Sequence, residues 1–267
     1  MMKHLCPGFV VLVVSALALS CSPPPAEVGF QMPERIVDLS PVIDQGSPME
    51  WWGHATLAGF AFPDSTEFTD YITDTPPLYF KNTLVSLMDH VGPHADSPGH
   101  TIKGGREIHD VPLEKFFGPA VVLDFTDRPD DEPLEVGDFE SADIQPGDIV
   151  IAVVTYEPPQ GPEAQPSYPY LSGDAARYLA GIPIKAFATD MPSLGSFRRY
   201  GPLMEESLDP EHVAPEHIAF LSQEIPIIEN LVNAEELIGE ETVVFVGFPL
   251  KLKDVTGGLM RAAALVY

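Results

Sequence analysis

Between His90 and His100 the chain reads His90-Val-Gly92-Pro93-His94-Ala-Asp96-Ser-Pro98-Gly-His100, placing three imidazoles and one carboxylate in one short stretch. Imidazole nitrogen and carboxylate oxygen are the usual ligands of a catalytic Zn²⁺ or Mn²⁺ ion. Ligands at about 2.0–2.2 Å from one ion lie only about 3 Å from each other. On a straight strand rising ~3.3 Å per residue, His90 and His94 would stand about 13 Å apart. The chain must therefore bend between them, and Gly92 and Pro93 are suited to the bend. Pro98 stiffens the exit. One ion with three protein ligands keeps positions open for water and substrate. It lowers the pKa of its water toward neutrality, giving hydroxide as the nucleophile, and polarises a carbonyl. His100 fits either a fourth ligand or an acid/base group that passes protons to a leaving group. The competing reading is a set of loop histidines with unrelated hydrogen bonds.

The elements that must position these residues are mostly strands. Ala120-Val-Val-Leu-Asp-Phe125, Asp148 to Tyr156, Thr242 to Phe248 and Arg261 to Tyr267 are rich in β-branched and aromatic residues. Their continuous apolar runs predict strands buried on both faces. Ser172 or Asp174 caps a predicted helix through Ala175, Ala176, Tyr178 and Leu179, stopped by Gly181. Pro215 opens a second helix carrying His217, Ile218 and Leu221. Thr126 to Glu132 and Pro158 to Pro169 read as loops. The fold class is α/β, a mixed sheet with strands in the majority, in one domain over residues 28–267. Glu229 sits inside Ile225-Pro-Ile-Ile-Glu229-Asn-Leu-Val, and a carboxylate in an apolar strand needs a partner or a metal ion.

Residues 1–20 read as an export signal: Lys3 and His4, an apolar run from Phe9 to Leu19, then Ser20-Cys21. The run is short for a membrane span. Ala18-Leu-Ser-Cys21 resembles a bacterial lipobox, which would make Cys21 the lipidated mature N-terminus; ordinary secretory cleavage nearby is the alternative. Residues 21–27 then form a Pro-rich tether holding the domain at a membrane surface. The chain's other cysteine, Cys6, leaves with the signal, so any metal site must use His, Asp and Glu. Forty Asp and Glu face fourteen Lys and Arg, a net charge of −26 that excludes nucleic-acid backbones as partners. High-salt adaptation and ordinary acidic export both accommodate that charge.

The pattern His-x-Gly-x-His-x-Asp-x-Pro-x-His resembles the signature of the cyclase family of metal-dependent hydrolases, which includes bacterial kynurenine formamidase and isatin hydrolase. Further stretches resemble the family. They include Asp38-Leu-Ser-Pro-Val, Ser97 through Gly104-Gly105 to Asp124, Pro146-Gly-Asp-Ile-Val, Ala188-Thr-Asp190-Met-Pro-Ser193, His217 through Glu229-Asn-Leu, and Arg261-Ala-Ala-Ala-Leu. The resemblance implies a swivelling β/β/α fold, assembled as a homodimer or homotetramer, with one or two Zn²⁺ or Mn²⁺ ions. It implies His90, His94 and Asp96 as ligands of one ion, with Asp96 bridging to a second held by His217 and Glu229. It implies His100 as the acid/base residue. Three differences stand out: Pro93 where the family carries Thr, Val153-Val-Thr-Tyr156 after the strand that follows Pro-Gly-Asp, and Ala188-Thr189 before Asp190.

Candidate substrate-binding residues are Trp52, His54 and Ser193. Trp51 and Trp52 fit stacking on an aromatic substrate and packing against the protein alike. His109 and His212 read as surface residues. The expected function is hydrolysis of a C–N bond in a linear or cyclic amide, of the arylformamidase or isatin hydrolase kind, by metal-bound hydroxide. An esterase or lactonase with the same site, or a non-catalytic ligand-binding lipoprotein of the same fold, are the alternatives.

Overall fold

The computed structural model describes residues 31–44, 66–157 and 166–267. The predicted export signal, Cys21 with its tether, Trp51, Trp52 and His54 lie outside the described residues, as does most of the Pro158 to Pro169 loop. Pro33–Tyr267 forms one compact unit. Among the described residues no helix is long and apolar enough to cross a membrane.

The strands are β1 (Arg35–Asp38), β2 (Glu67–Thr75), β3 (Leu78–Ser86), β4 (His94–Asp96), β5 (Phe117–Asp124), β6 (Pro133–Leu134), β7 (Ile149–Val153), β8 (Tyr170–Leu171), β9 (Ala186–Thr189), β10 (Ile227–Glu229), β11 (Val243–Val246), β12 (Gly257–Leu259) and β13 (Ala263–Val266). The helices are α1 (Val136–Phe139), α2 (Gly173–Ala180), α3 (Phe197–Glu206), α4 (Pro210–Val213) and α5 (Pro215–Leu221). Nine strands form one mixed sheet in the order β1-β13-β11-β5-β7-β9-β10-β4-β12. Its middle, β5-β7-β9-β10, is parallel. The flanking strands pair antiparallel.

The two faces of the sheet carry two separate cores. Ile149, Ile151, Val153, Ala188 and Ile228 pack on one face with Leu39, Phe116, Leu237 and Phe245. Val150, Ala152, Phe187 and Ile227 pack on the other with Leu179 of α2 and Ala219 and Phe220 of α5. Each Val, Leu, Ile or Phe among them, taken fully out of water, contributes about 1.5–3 kcal/mol. The period of two along β7 and β9 thus feeds both layers, which is why those strands read as unbroken apolar runs. Burial on both faces holds for β7, all five residues of which are buried. It does not hold for β5, whose only buried residue is Gly118, nor for the antiparallel β11 and β13, which alternate between buried and partly exposed positions. These antiparallel strands face the core on one side only.

α2 begins where Ser172 caps it, the hydroxyl accepting from the Ala175 N–H at 3.1 Å, and stops at Gly181. α5 begins at Pro215, whose missing N–H costs nothing in a first turn. Several elements had no sequence counterpart: the short α1, α4, β6, β8, β9 and β12, then α3, which carries Pro202 within it, and the β2–β3 hairpin, a separate two-stranded sheet.

Candidate metal centre

The cluster stands on β4, β10, α5 and the turn before β4. The chain bends where expected: Gly92 has φ +62°, a left-handed conformation that glycine adopts without strain. The Gly92 carbonyl accepts from His94 Nδ1 at 2.9 Å. His94 and Asp96, two apart on β4, point to the same face. Antiparallel register places Glu229 of β10 directly opposite His94 and Gly257 of β12 opposite Asp96. That face is the one covered by α5, and α5 delivers His217 to it. His100, at the end of the 3₁₀ turn Pro98–His100, closes the group.

Asp96 is the hub. His90 Nε2 stands 3.1 Å and His94 Nε2 3.3 Å from its Oδ1. His217 Nε2 stands 3.7 Å and His100 Nε2 3.9 Å from its Oδ2. Glu229 bridges the far side, Oε2 3.5 Å from His94 Nε2 and Oε1 3.5 Å from His217 Nε2. The structure therefore gathers all six residues expected at the centre. Two three-residue sets, His90–His94–Asp96 and Asp96–His100–His217, each have ligand atoms within 4.8 Å of one another, and they share Asp96. His100 falls in the second set and also lies 2.9 Å by Nδ1 from His90 Nε2, so its position serves a ligand and an acid/base group equally.

The donor set fits a divalent cation. Asp96 is 1% exposed, and neither of its oxygens receives a well-aligned hydrogen bond. A buried carboxylate in that condition is costly unless a cation meets it. The electrostatics show the same demand. Burial opposes charge on His90, but Asp89 and Asp96 outweigh it and raise the ring to about 10. His94 and His217 are likewise raised against burial, by Asp96 and Glu229 in the first case and by Glu216 and Glu229 in the second. Asp96 is held well below the usual carboxylate range despite burial, by the surrounding His100, His90 and His94. Imidazolium protons thus supply the positive charge that a cation would bring, and binding one releases protons. His100 is the exception. Desolvation lowers its pKa below the usual value although its side chain is 31% exposed at the mouth.

Ser193 is buried, its hydroxyl 3.1 Å from Tyr200 Oη. Asp190 accepts N–H groups from Val154, Thr155 and Tyr156 at 2.9, 2.6 and 3.3 Å, fixing the segment after β7. His109 and His212 do have partners, Glu107 with Asp110 and Glu206 respectively. Sequence reasoning passed over Asp89 and Glu216, each immediately before a cluster histidine. Asp89 Oδ1 lies 2.8 Å from His90 Nδ1, and Glu216 Oε1 3.3 Å from His217 Nδ1. The repeated acid–His dipeptide was the available signal. A cavity of about 550 Å³ borders Tyr200, Glu216, Arg177 and Arg199 but none of the six cluster residues.

Comparison with known proteins agrees with this architecture. The family model described as a putative cyclase matches residues 37–196. A kynurenine formamidase of Delftia acidovorans is 25% identical over 86% of this chain and 97% of its own. One from Bacillus mycoides is 25% identical over 67% of this chain and 77% of its own. Isatin hydrolase A from Labrenzia aggregata, solved with benzyl benzoate, shares the fold with a TM-score of 0.69 at 23% identity, over 87% of this chain and 93% of that one. With its centre, its sheet and its matched length taken together, this chain belongs to the cyclase family.

Proposed function

We propose that this protein is a metal-dependent hydrolase that cleaves the C–N bond of a linear or cyclic amide, with Zn²⁺ or Mn²⁺ as its cofactor. The observation that carries the reading is Asp96, buried without a well-aligned donor and faced by four imidazole Nε2 atoms at 3.1–3.9 Å. When bound, the ion supplies Lewis acidity that acidifies water and polarises a carbonyl oxygen. His90, His94 and Asp96 would hold one ion; His217 and Glu229, sharing Asp96, would hold a second. His100 sits at the mouth, and desolvation lowers its pKa, which favours the neutral ring. It takes a proton from the attacking water and returns it to the departing nitrogen. The relatives named kynurenine formamidase and the isatin hydrolase neighbour support aryl formamides and fused lactams as the substrate class. Trp52, His54 and Ser193 remain the candidates for holding the substrate. Esters and lactones are open to the same attack.

The reading includes export, with lipid on Cys21, which intact-mass analysis of the membrane fraction tests directly. It also includes assembly with further copies of the chain through the β2–β3 hairpin. The deciding experiment takes residues 28–267, measures bound metal, and assays aryl formamides, isatin-like lactams, esters and lactones. Turnover that stops with chelator and returns with Zn²⁺ or Mn²⁺ supports the proposal. A fully metallated protein inert on the whole panel, yet binding one of these compounds, would make it a ligand-binding relative instead.

A further inference from the structure

The imidazoles of the centre reach Asp96 through Nε2, so something must hold each ring by Nδ1. For His94 that is the Gly92 carbonyl, a neutral backbone acceptor. For His90 and His217 it is a carboxylate supplied by the preceding residue, on two unrelated elements. Asp89 lies in the turn before β4; its Oδ1 is 2.8 Å from His90 Nδ1, and its Oδ2 accepts from the Gly257 N–H at 3.0 Å. The carboxylate thus ties the ring to the edge strand β12. Gly257 is part of the arrangement: a Cβ there would stand 2.5 Å from His90 Nδ1. Glu216 lies in the first turn of α5, is 3% exposed, and receives the Tyr200 hydroxyl on Oε1 at 3.0 Å. The same oxygen faces His217 Nδ1 at 3.3 Å.

We propose that Asp89 and Glu216 are positioning residues for the metal centre, each fixing the Nδ1–H tautomer and the plane of the histidine that follows it. An ionised carboxylate only accepts hydrogen bonds, so it keeps a proton on Nδ1, and when an ion displaces the second proton the Nε2 lone pair is the one left to face that ion. A carboxylate on the far nitrogen also makes the near one a stronger donor to a cation, and loss of such a partner typically weakens metal affinity 10- to 100-fold. Adjacent residues share one backbone, so a single turn of chain sets ligand and orienter together.

This inference rests on the metal reading, and titration of apo protein separates the two. Zn²⁺ or Mn²⁺ is titrated calorimetrically into wild type, D89N, D89A, E216Q and E216A, and thermal unfolding of each apo protein is recorded. Co²⁺ is then loaded and its visible absorption compared. Expected is a 10- to 100-fold weaker affinity for each Ala variant, with a smaller loss for the amide variants, whose oxygen can still accept. The Co²⁺ bands should shift, and the apo melting temperatures of D89N and E216Q should stay near wild type. Wild-type affinity and an unshifted Co²⁺ spectrum in the Ala variants would overturn the proposal. So would affinity losses that merely follow the apo melting temperature across all four variants. Failure of wild type to bind any of the three metals would instead overturn the metal reading itself.

Discussion

At the scale of single residues, the proposed mechanism separates groups that would hold the ion from one that would move a proton. His94 is fully buried, between Asp96 and Glu229, and has no route to substrate. His100 stands at the mouth, and its lowered pKa is that of a group desolvated among other histidines. H94A should therefore lose bound metal along with activity. H100A should retain its metal while kcat falls by about 10²–10⁴, the usual contribution of a positioned acid/base. The sign of the pH effect follows from the lowered pKa: the neutral ring is the proton acceptor, so kcat/KM in wild type should fall as pH drops through a value below about 6.5. That limb should vanish in H100A. Metal analysis beside a pH–rate profile checks both, and loss of one metal equivalent in H100A would make His100 a ligand instead.

At the scale of elements, the turn before β4 does what no rigid strand could: it returns the chain so that His90 meets Asp96. Its left-handed Gly92 both makes the turn and offers the carbonyl that anchors His94. G92A should cost about 1–2 kcal/mol, the usual penalty for a Cβ in that conformation. The new Cβ would also press on Ile43 Cδ1 at 2.9 Å. The melting temperature should fall by about 2–8 °C, and metal affinity should fall with it; an unchanged pair of values would show that this turn does not set the ring. The bend was legible because ligand geometry demands it and Gly-Pro supplies it. β7 and α5 were legible because burial on two faces, or Pro at a helix start, marks the sequence directly; β5 was legible as a strand from its β-branched run, although it is not buried on both faces. α3 was not, because Pro202 and a mostly polar surface hide its period. Glu216 was not, because a carboxylate before a histidine reads as surface charge until α5 is seen to be buried from Glu216 onward.

At the scale of the molecule, the β2–β3 hairpin is the part least explained by the chain itself. Its register puts Ile72 and Tyr79 on one face and Tyr71, Phe80, Leu84 and Leu78 on the other. All six are roughly half exposed or more. A lone two-stranded sheet is marginal in water, and apolar side chains on both of its faces call for cover. The proposed assembly puts a second copy of the chain there; Asp70 and Lys81 pair with one another, while Glu67 and Asp74 are the hairpin's other charged side chains. The rest of the molecule resists such contact: at −26 per chain, two copies repel. Association through the hairpin should therefore strengthen with salt, as screening removes the repulsion and leaves apolar burial intact. Light scattering after size-exclusion chromatography should show a larger dimeric or tetrameric fraction at 1 M than at 50 mM salt. F80D, which places a charge in the contact and removes an aromatic worth about 1.5–3 kcal/mol, should weaken association by more than about tenfold while leaving metal content unchanged. A wild type that stays monomeric at high salt and high concentration would refute this assembly, and so would an F80D variant that associates as wild type does.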